Sequence, residues 1–157
     1  MILSEHQEQC LVVDWLDYVA VLRWPHLALV DERLPYIAIP NGGYRHVKTA
    51  SDLKKEGVRK GYPDLQLMVP TKKYPGLIIE MKRVKNSVTR ASQKEWIAAL
   101  KKLGYSVHVC KGHQAAIDVI ENYLEEKIVK ELKKIADREE ARRIKIAALD
   151  SNPYGGE

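Results

Sequence analysis

The chain has 157 residues, 45% of them hydrophobic, which is enough for one domain with a substantial core. Lys and Arg number 26 against 21 Asp and Glu, and the resulting net charge of +5 suits a polyanionic partner. The sequence contains no signal-peptide pattern and no apolar run near 18 residues, which argues against a membrane protein and leads us to expect a cytoplasmic one.

The first third of the chain predicts two helices and a short strand. Ser4 is a suitable N-cap for a first helix over about 5–20. A short strand over 36–40 then ends in a Pro-Asn-Gly-Gly turn, and residues 48–56 predict a second helix. The apolar stripe that we expect to face the core from the first helix consists of Leu11, Val12, Trp15, Leu16 and Val19.

The stretch GYPDLQLMVPTKKYPGLIIEMK predicts a β-hairpin with polar residues at one end. Its strands, at about 64–70 and 76–82, are apolar and flank a KKYPG turn. Asp64 opens the first strand, while Glu80 and Lys82 close the second, so an antiparallel pair brings the three together. Glu80 and Lys82 are two residues apart and therefore share a face. Two carboxylates beside an ammonium suit a hard cation and an adjacent proton-handling group.

The same residues also allow a purely structural interpretation. Lys82 could form a buried ion pair with Glu80 or Asp64, and Pro63-Asp64 could be only a turn that leads into a strand. The residues alone leave both interpretations open. The five histidines are scattered without ligand spacing, and each is interpreted as a surface or hydrogen-bonded side chain.

The second half of the chain predicts a helix over 91–103, a strand over 105–110 and a helix that follows Gly112. The whole order indicates an α/β domain over 1–124 with a central mixed sheet flanked by helices. Residues 125–157 are predicted to be a charged helical extension with a flexible C-terminus. A solvated helix is the preferred interpretation of 125–150, and a dimer or DNA-contact arm is the alternative.

These elements, with this acid pair, resemble the PD-(D/E)xK nuclease superfamily, whose restriction-endonuclease-like core has the same order. Pro63-Asp64 matches the PD element, and Glu80-Met81-Lys82 matches the ExK element. Further segments are similar to the VRR-NUC family, and to its stand-alone phage-type members in particular. They are EHQEQ, IPNGGYR, DLKKEGVRKGYPD, GLIIEMK, SQKEW and LGYSVHVCKG, which together cover about residues 4–124.

The resemblance implies an endodeoxyribonuclease that depends on Mg²⁺ or Mn²⁺. Asp64, Glu80 and the backbone carbonyl of Met81 would be metal ligands, Lys82 the catalytic lysine, and Gln93 a supporting residue. One acid from the first helix would complete the site. Glu5 and Glu8 both fit that position, and Glu8 is preferred, also as a metal ligand, because it lies beneath the apolar stripe.

The resemblance also implies branched DNA as the substrate, and small phage-type members resemble homodimeric Holliday-junction resolvases. If a phage encodes the chain, the cytoplasm would be that of its host. The alternatives are a monomeric flap or nicking nuclease and a DNA-binding module without catalysis. We expect recognition through DNA shape and backbone. The expected phosphate contacts are Asn41, Arg45, Lys60, Lys72, Lys73, Arg83, Lys85 and Arg90, and for Asn41 an ordinary tight turn is an equal alternative.

Overall fold

The computed structural model describes residues 2–29, 31–39, 47–125 and 127–150. Within them the helices are α1 (Glu5–Trp15), α2 (Val21–Arg23), α3 (Val47–Lys55), α4 (Ala91–Lys102), α5 (His113–Leu124) and α6 (Lys127–Asp150). The strands are β1 (Tyr36–Ala38), β2 (Leu65–Leu67), β3 (Leu77–Lys82) and β4 (Ser106–Lys111). This order confirms the predicted α/β arrangement.

The four strands form one mixed sheet in the order β1-β2-β3-β4. β1 pairs with β2 and β2 with β3 in antiparallel fashion, whereas β3 and β4 are parallel. All six residues of β3 are buried, because this strand has a neighbour on each side and helices on both faces. The strand that carries the predicted catalytic residues is therefore the centre of the domain.

The two faces of β3 pack against different helices. Leu77, Ile79 and Met81 belong to a core that also contains residues of α1 and α5, such as Val12 and Ile120. The intervening face carries Ile78, which packs with Leu100 of α4 and Val107 of β4. Because side chains alternate along a strand, Glu80 and Lys82 share the face of Ile78, the face that α4 covers.

The first helix begins at a capping box, and the set of residues that it buries differs from the predicted apolar stripe. Gln7 N donates to Ser4 Oγ at 3.2 Å, and Ser4 N donates to Gln7 Oε1 at 2.9 Å. A π-helical turn over residues 16–20 joins α1 to α2. Buried positions recur at every fourth residue, as Glu8, Val12, Leu16, Ala20 and Trp24, and the wider π-helical turn continues this spacing beyond Leu16.

This spacing corrects the predicted apolar stripe. Val12 and Leu16 are buried as expected, but Leu11 is 38% exposed and Val19 is 50% exposed. Leu11 precedes the π-helical turn and lies about 100° from Val12 around α1, at the edge of the buried face. Val19 would lie beside Val12 in a straight α-helix, whereas the π-helical turn rotates it away from the core.

The C-terminal extension is helical over Lys127–Asp150, as predicted, and the predicted flexible end at 151–157 lies outside the described residues. α6 packs against the short 3₁₀ turn Pro25–Leu27. Its described side chains, from Lys134 to Ala148, are exposed apart from the half-buried Ala136. No helix in the described part of the chain combines the length and apolar character that a bilayer crossing requires.

Candidate catalytic site

Asp64 and Glu80 lie opposite each other at the open end of the β2–β3 hairpin. Leu65 pairs with Ile79, so the next step in this antiparallel register places Asp64 across from Glu80. Asp64 is fixed there because its Oδ2 accepts a hydrogen bond of 2.9 Å from the backbone N–H of Met81. The hairpin thus brings the two predicted metal ligands together.

Glu80 is the most enclosed charged residue of the site. Its side chain is fully buried, and its Oε1 accepts hydrogen bonds from Lys82 Nζ, at 2.5 Å, and from Gln93 Nε2. Its Oε2 is also buried but has no hydrogen-bond partner among the described residues. Because buried polar atoms are nearly always satisfied, an unpartnered carboxylate oxygen indicates a position at which a ligand belongs.

Lys82 connects α1 to β3 through three contacts around this carboxylate. Its ammonium is 3.1 Å from Glu5 Oε1 of α1 and donates to the backbone carbonyl of Met81 at 3.1 Å, in addition to Glu80. Only 5% of the residue is exposed. The same carbonyl oxygen of Met81 was predicted to be a metal ligand, and here it contacts the lysine.

Gln93 is held in position by the start of α4. Its Oε1 accepts the N–H of Arg90 at 2.9 Å, and this bond turns Nε2 toward Glu80 Oε1. Gly61, in the loop before Asp64, packs against the start of α4 at Ser92. A Cβ at Gly61 would lie 2.8 Å from the Cβ, Oγ and carbonyl carbon of Ser92, and the residue has a φ of +88°. The loop before Asp64 therefore rests directly on α4 beside Gln93.

The two acids of α1 have different partners. Glu5 contacts Lys82, and about half of its side chain is exposed. Glu8 is 2% exposed, and its Oε2 accepts hydrogen bonds from the backbone N of His113 at 2.7 Å and from His113 Nδ1 at 2.6 Å. The structure therefore brings Glu5 to Lys82 and joins Glu8 to the start of α5.

No sequence motif indicates the contact between Glu8 and His113. The two residues are 105 positions apart, and neither belongs to a spaced motif with the other. The interpretation of His113 as a hydrogen-bonded histidine is confirmed, but its partner could be found only from the packing of α1 against α5.

Burial and mutual charge shift the pKa values of the site. Burial, together with the nearby charge of Asp64, raises the pKa of Glu80 to about 7 despite its bond to Lys82. Burial also raises the pKa of Asp64 above its ordinary value. For Lys82, burial acts to lower the pKa, but the hydrogen bond and charge of Glu80 outweigh it and raise the pKa. Lys82 thus stays an ammonium.

Glu8 shows the opposite shift from Glu80. Burial acts to raise the pKa of Glu8, but the hydrogen bonds and charge of His113 prevail and lower it. Glu8 is therefore a carboxylate whose charge His113 stabilises. Glu80, by contrast, has hydrogen-bond partners on Oε1 but none among the described residues on Oε2.

The predicted DNA contacts divide into two groups. Lys60, Arg83, Lys85 and Arg90 are exposed on the loops before Asp64 and after Lys82. Arg83 fixes the second loop by donating from Nε and Nη2 to Asn86 O, at 3.2 and 2.8 Å.

Lys72 and Lys73 lie in the turn between β2 and β3, at the end of the hairpin away from Asp64 and Glu80. Although Lys72 and Lys73 are near the acid pair along the chain, the hairpin thus separates these two expected phosphate contacts from it. Asn41 and Arg45 are outside the described residues.

The described residues contain no group of three or more acidic, histidine or cysteine side chains that would form a complete metal-ligand set. The site instead has two facing carboxylates, a buried ammonium and an amide. Such a sparse oxygen set is characteristic of Mg²⁺ sites in nucleases, because that ion retains several of its waters.

Comparisons with known proteins agree with this geometry. The model of the VRR-NUC domain family matches residues 3–114. A solved structure described as a VRR_NUC domain protein is 30% identical to the chain, with a TM-score of 0.63 over 80% of this chain and 91% of its own. A search of curated proteins found no match. The mixed sheet and its helices fit the restriction-endonuclease-like fold, and a VRR-NUC domain implies nuclease activity. The chain belongs to the VRR-NUC domain family.

Proposed function

We propose that this nuclease is a metal-dependent, structure-selective DNA endonuclease that works as a homodimeric Holliday-junction resolvase. The observation that carries the metal-dependent chemistry is the buried, unpartnered Oε2 of Glu80 opposite Asp64. Metal dependence is also general among PD-(D/E)xK-like nuclease domains. The preference for junctions and the dimer rest on the resemblance to phage-type members of the family.

The residues present fit a divalent cation. Asp64 and Glu80 would be its carboxylate ligands, with the carbonyl of Met81 completing the protein side once Lys82 moves off that oxygen. When bound, the ion lowers the pKa of a ligand water and neutralises charge on the phosphoryl oxygens. A cation beside Glu80 would also offset the burial that raises the pKa of this carboxyl.

Lys82 is assigned a positioning and electrostatic role. Its raised pKa makes it a poor acceptor for a proton from water, so it would orient the attacking water or stabilise charge on the phosphate as an ammonium. Gln93 would hold Glu80 in position through its hydrogen bond, and Glu5 would hold the ammonium of Lys82 through its ion pair. Of the two acids of α1, we therefore assign Glu5 to the catalytic group and Glu8 to the support of His113.

DNA would approach over the loops that flank the acids. Lys60, Arg83, Lys85 and Arg90 provide exposed positive charge at that end of the sheet and would neutralise phosphates next to the cleaved bond. Asn41 and Arg45 stay in the proposal as phosphate contacts from the loop that follows β1. No described element presents a row of aromatic side chains for base stacking, which favours recognition of the DNA backbone.

The test is a cleavage assay with Mg²⁺ or Mn²⁺ on four-way junction, 5′-flap, nicked and linear duplex DNA. The wild-type chain is compared with Asp64→Asn and with Asp14→Asn, which makes the same change at an exposed position of α1. We expect paired symmetric cuts in the junction from the wild type and from Asp14→Asn, and none from Asp64→Asn.

The other outcomes distinguish the alternatives. Cutting of flaps or nicked duplex, with no cutting of junctions, would keep the nuclease and reject the resolvase. Binding without cleavage of any substrate would indicate a module without catalysis. A monomer in sedimentation that still cuts a junction symmetrically would contradict the homodimer.

A further inference from the structure

The domain has a second basic region at the end opposite the catalytic acids. α5 connects the two ends of the sheet. Its first residue, His113, contacts Glu8, and Tyr123 near its last turn donates to Val69 O at 2.5 Å, beside the β2–β3 turn. The rings of Tyr123 and Tyr74 are 6.4 Å apart. The twelve residues of α5 span about 18 Å at 1.5 Å per residue.

Two basic segments lie at, or begin near, the end of the sheet that is away from Asp64 and Glu80. One is the turn that carries Lys72 and Lys73, next to Tyr74. The other is α6, which begins at Lys127, shortly after the end of α5. α6 lies beyond the family match, which ends at residue 114.

Over residues 134–148, whose side chains the structure describes, the charges of α6 are segregated around the helix. Lys134, Arg138, Arg142 and Lys145 follow a spacing of four, four and three residues, which places them within an arc of about 80°. All four are exposed, and none forms a salt bridge with another described residue. The acids Asp137 and Glu140 lie outside this arc.

This segregation argues against a helix that is merely solvated. Like charges at i, i+4 destabilise a helix, whereas alternating charges at that spacing stabilise it. Here Lys134, Arg138 and Arg142 place three like charges in succession at i, i+4. Lys134 and Arg142 have an acid three residues away, Asp137 and Glu139, whereas Arg138 and Lys145 have none three or four residues away. An extended polyanion would supply the counter-charges that these two residues lack.

We infer that Lys72, Lys73 and the basic face of α6 form a distal DNA-binding surface, which holds the phosphate backbone of a duplex arm away from the cleaved bond. This inference rests on the proposed function and adds to it a second contact region. The occupant is DNA because the surface complements its charge. α5 spans about 18 Å from His113, which contacts Glu8, to the end that lies beside the β2–β3 turn, and this length corresponds to about five base pairs at 3.4 Å each. We therefore expect the surface to act only on arms longer than that.

Two neighbouring arginines of α6 provide a matched pair for the test. Arg142 belongs to the basic arc, whereas Arg143 is one residue further and faces about 100° away. Both are exposed and lack a salt bridge among the described residues, so Arg142→Gln and Arg143→Gln remove the same charge. Binding to a junction with arms of about 25 base pairs is measured by fluorescence anisotropy as a function of salt. EDTA is present so that no strand is cut.

We expect Arg142→Gln and Arg138→Gln to weaken binding severalfold at low salt. Each should lower the slope of log affinity against log salt by about one, while Arg143→Gln leaves both unchanged. With junction arms of about five base pairs, all variants should bind like the wild type. Equal effects of Arg142→Gln and Arg143→Gln, or no effect of either, would overturn the inference.

Two further outcomes separate this inference from the proposed function. If the wild type cuts junctions but the arc variants bind normally, the nuclease stands and the distal surface is wrong. If nothing is cut but the arc variants lose affinity for long arms, the distal surface stands without the nuclease. A change in sedimentation of Arg142→Gln, with unchanged DNA binding, would assign the face to a second copy of the chain and reject DNA as its occupant.

Discussion

Glu80 and Lys82 form an ion pair of 2.5 Å that leaves half of the carboxylate unused, because Oε2 of Glu80 has no hydrogen-bond partner among the described residues. A buried ion pair with only a structural role needs hydrogen bonds to its remaining oxygen to offset desolvation. The pair therefore differs from the simple structural interpretation that the sequence allowed, and it has consequences for stability and for catalysis.

The stability of the metal-free protein should decrease as pH rises through neutrality. The pKa of Glu80 is raised from 4.5 to about 7 on folding, so between these values the folded state binds a proton that the unfolded state releases. This contribution is fully present below about pH 4.5 and is lost as pH approaches and passes 7. Relative to Glu80→Gln, the wild type should lose on the order of 3 kcal/mol between pH 4.5 and 8 in EDTA.

Urea unfolding of both proteins across this pH range measures the difference. Mg²⁺ should restore stability to the wild type at pH 8 and have no such effect on Glu80→Gln, because the ion needs the ionised carboxylate. Parallel pH profiles for the two proteins would contradict a raised pKa at Glu80.

Removal of the ammonium should separate catalysis from metal binding. We expect Lys82→Met to reduce the cleavage rate about a hundredfold or more, because the charge that orients water or stabilises the phosphate is lost. Stabilisation by Mg²⁺ in a thermal melt should persist, since Asp64 and Glu80 are intact. Lys111→Met is the matched control, as Lys111 is the cross-strand partner of Lys82 on β4 but is exposed. Wild-type turnover by Lys82→Met would exclude the lysine from the reaction.

The sequence predicts the centre of this site well because the centre depends on local rules. Alternation along β3 places Glu80 and Lys82 on one face, and the antiparallel hairpin adds Asp64. The phase of the first helix could not be predicted, since the π-helical turn at 16–20 has no distinct sequence signal. Lys72 and Lys73 are close to Glu80 along the chain, but the hairpin places them at its other end.

The choice between Glu5 and Glu8 needed tertiary structure. Both acids belong to the first turn of α1, and the apolar pattern favoured Glu8. Glu8 is indeed the buried one, but it is buried against His113, while the more exposed Glu5 contacts Lys82. Burial beneath an apolar stripe therefore identified a carboxylate that pairs with His113, and the sequence contained no information on which residue of α5 faces it.

Matched alanine variants should distinguish these two acids. We expect Glu5→Ala to lower the cleavage rate with little change in the free energy of unfolding, since its side chain is half exposed. Glu8→Ala should destabilise the protein by about 1–3 kcal/mol, because the buried N–H of His113 loses its acceptor. Its cleavage rate below the melting temperature should stay near that of the wild type. The reverse pattern would return Glu8 to the catalytic group.

The contact between Gly61 and α4 should couple the fold to the position of Asp64. In Gly61→Ala, the new Cβ would meet Ser92 at 2.8 Å, and the left-handed backbone at φ +88° would add strain. Gly104→Ala is the control, because Gly104 has a similar φ of +91° but no atom within 4 Å of its Cβ position. Both variants should lose about 1 kcal/mol from backbone strain. Only Gly61→Ala should lose more and also cut DNA more slowly, because the start of α4 must move and carry Gln93 away from Glu80. Unfolding free energies and cleavage rates of the two variants decide this, and equal losses in both would show that the contact with Ser92 does not position the site.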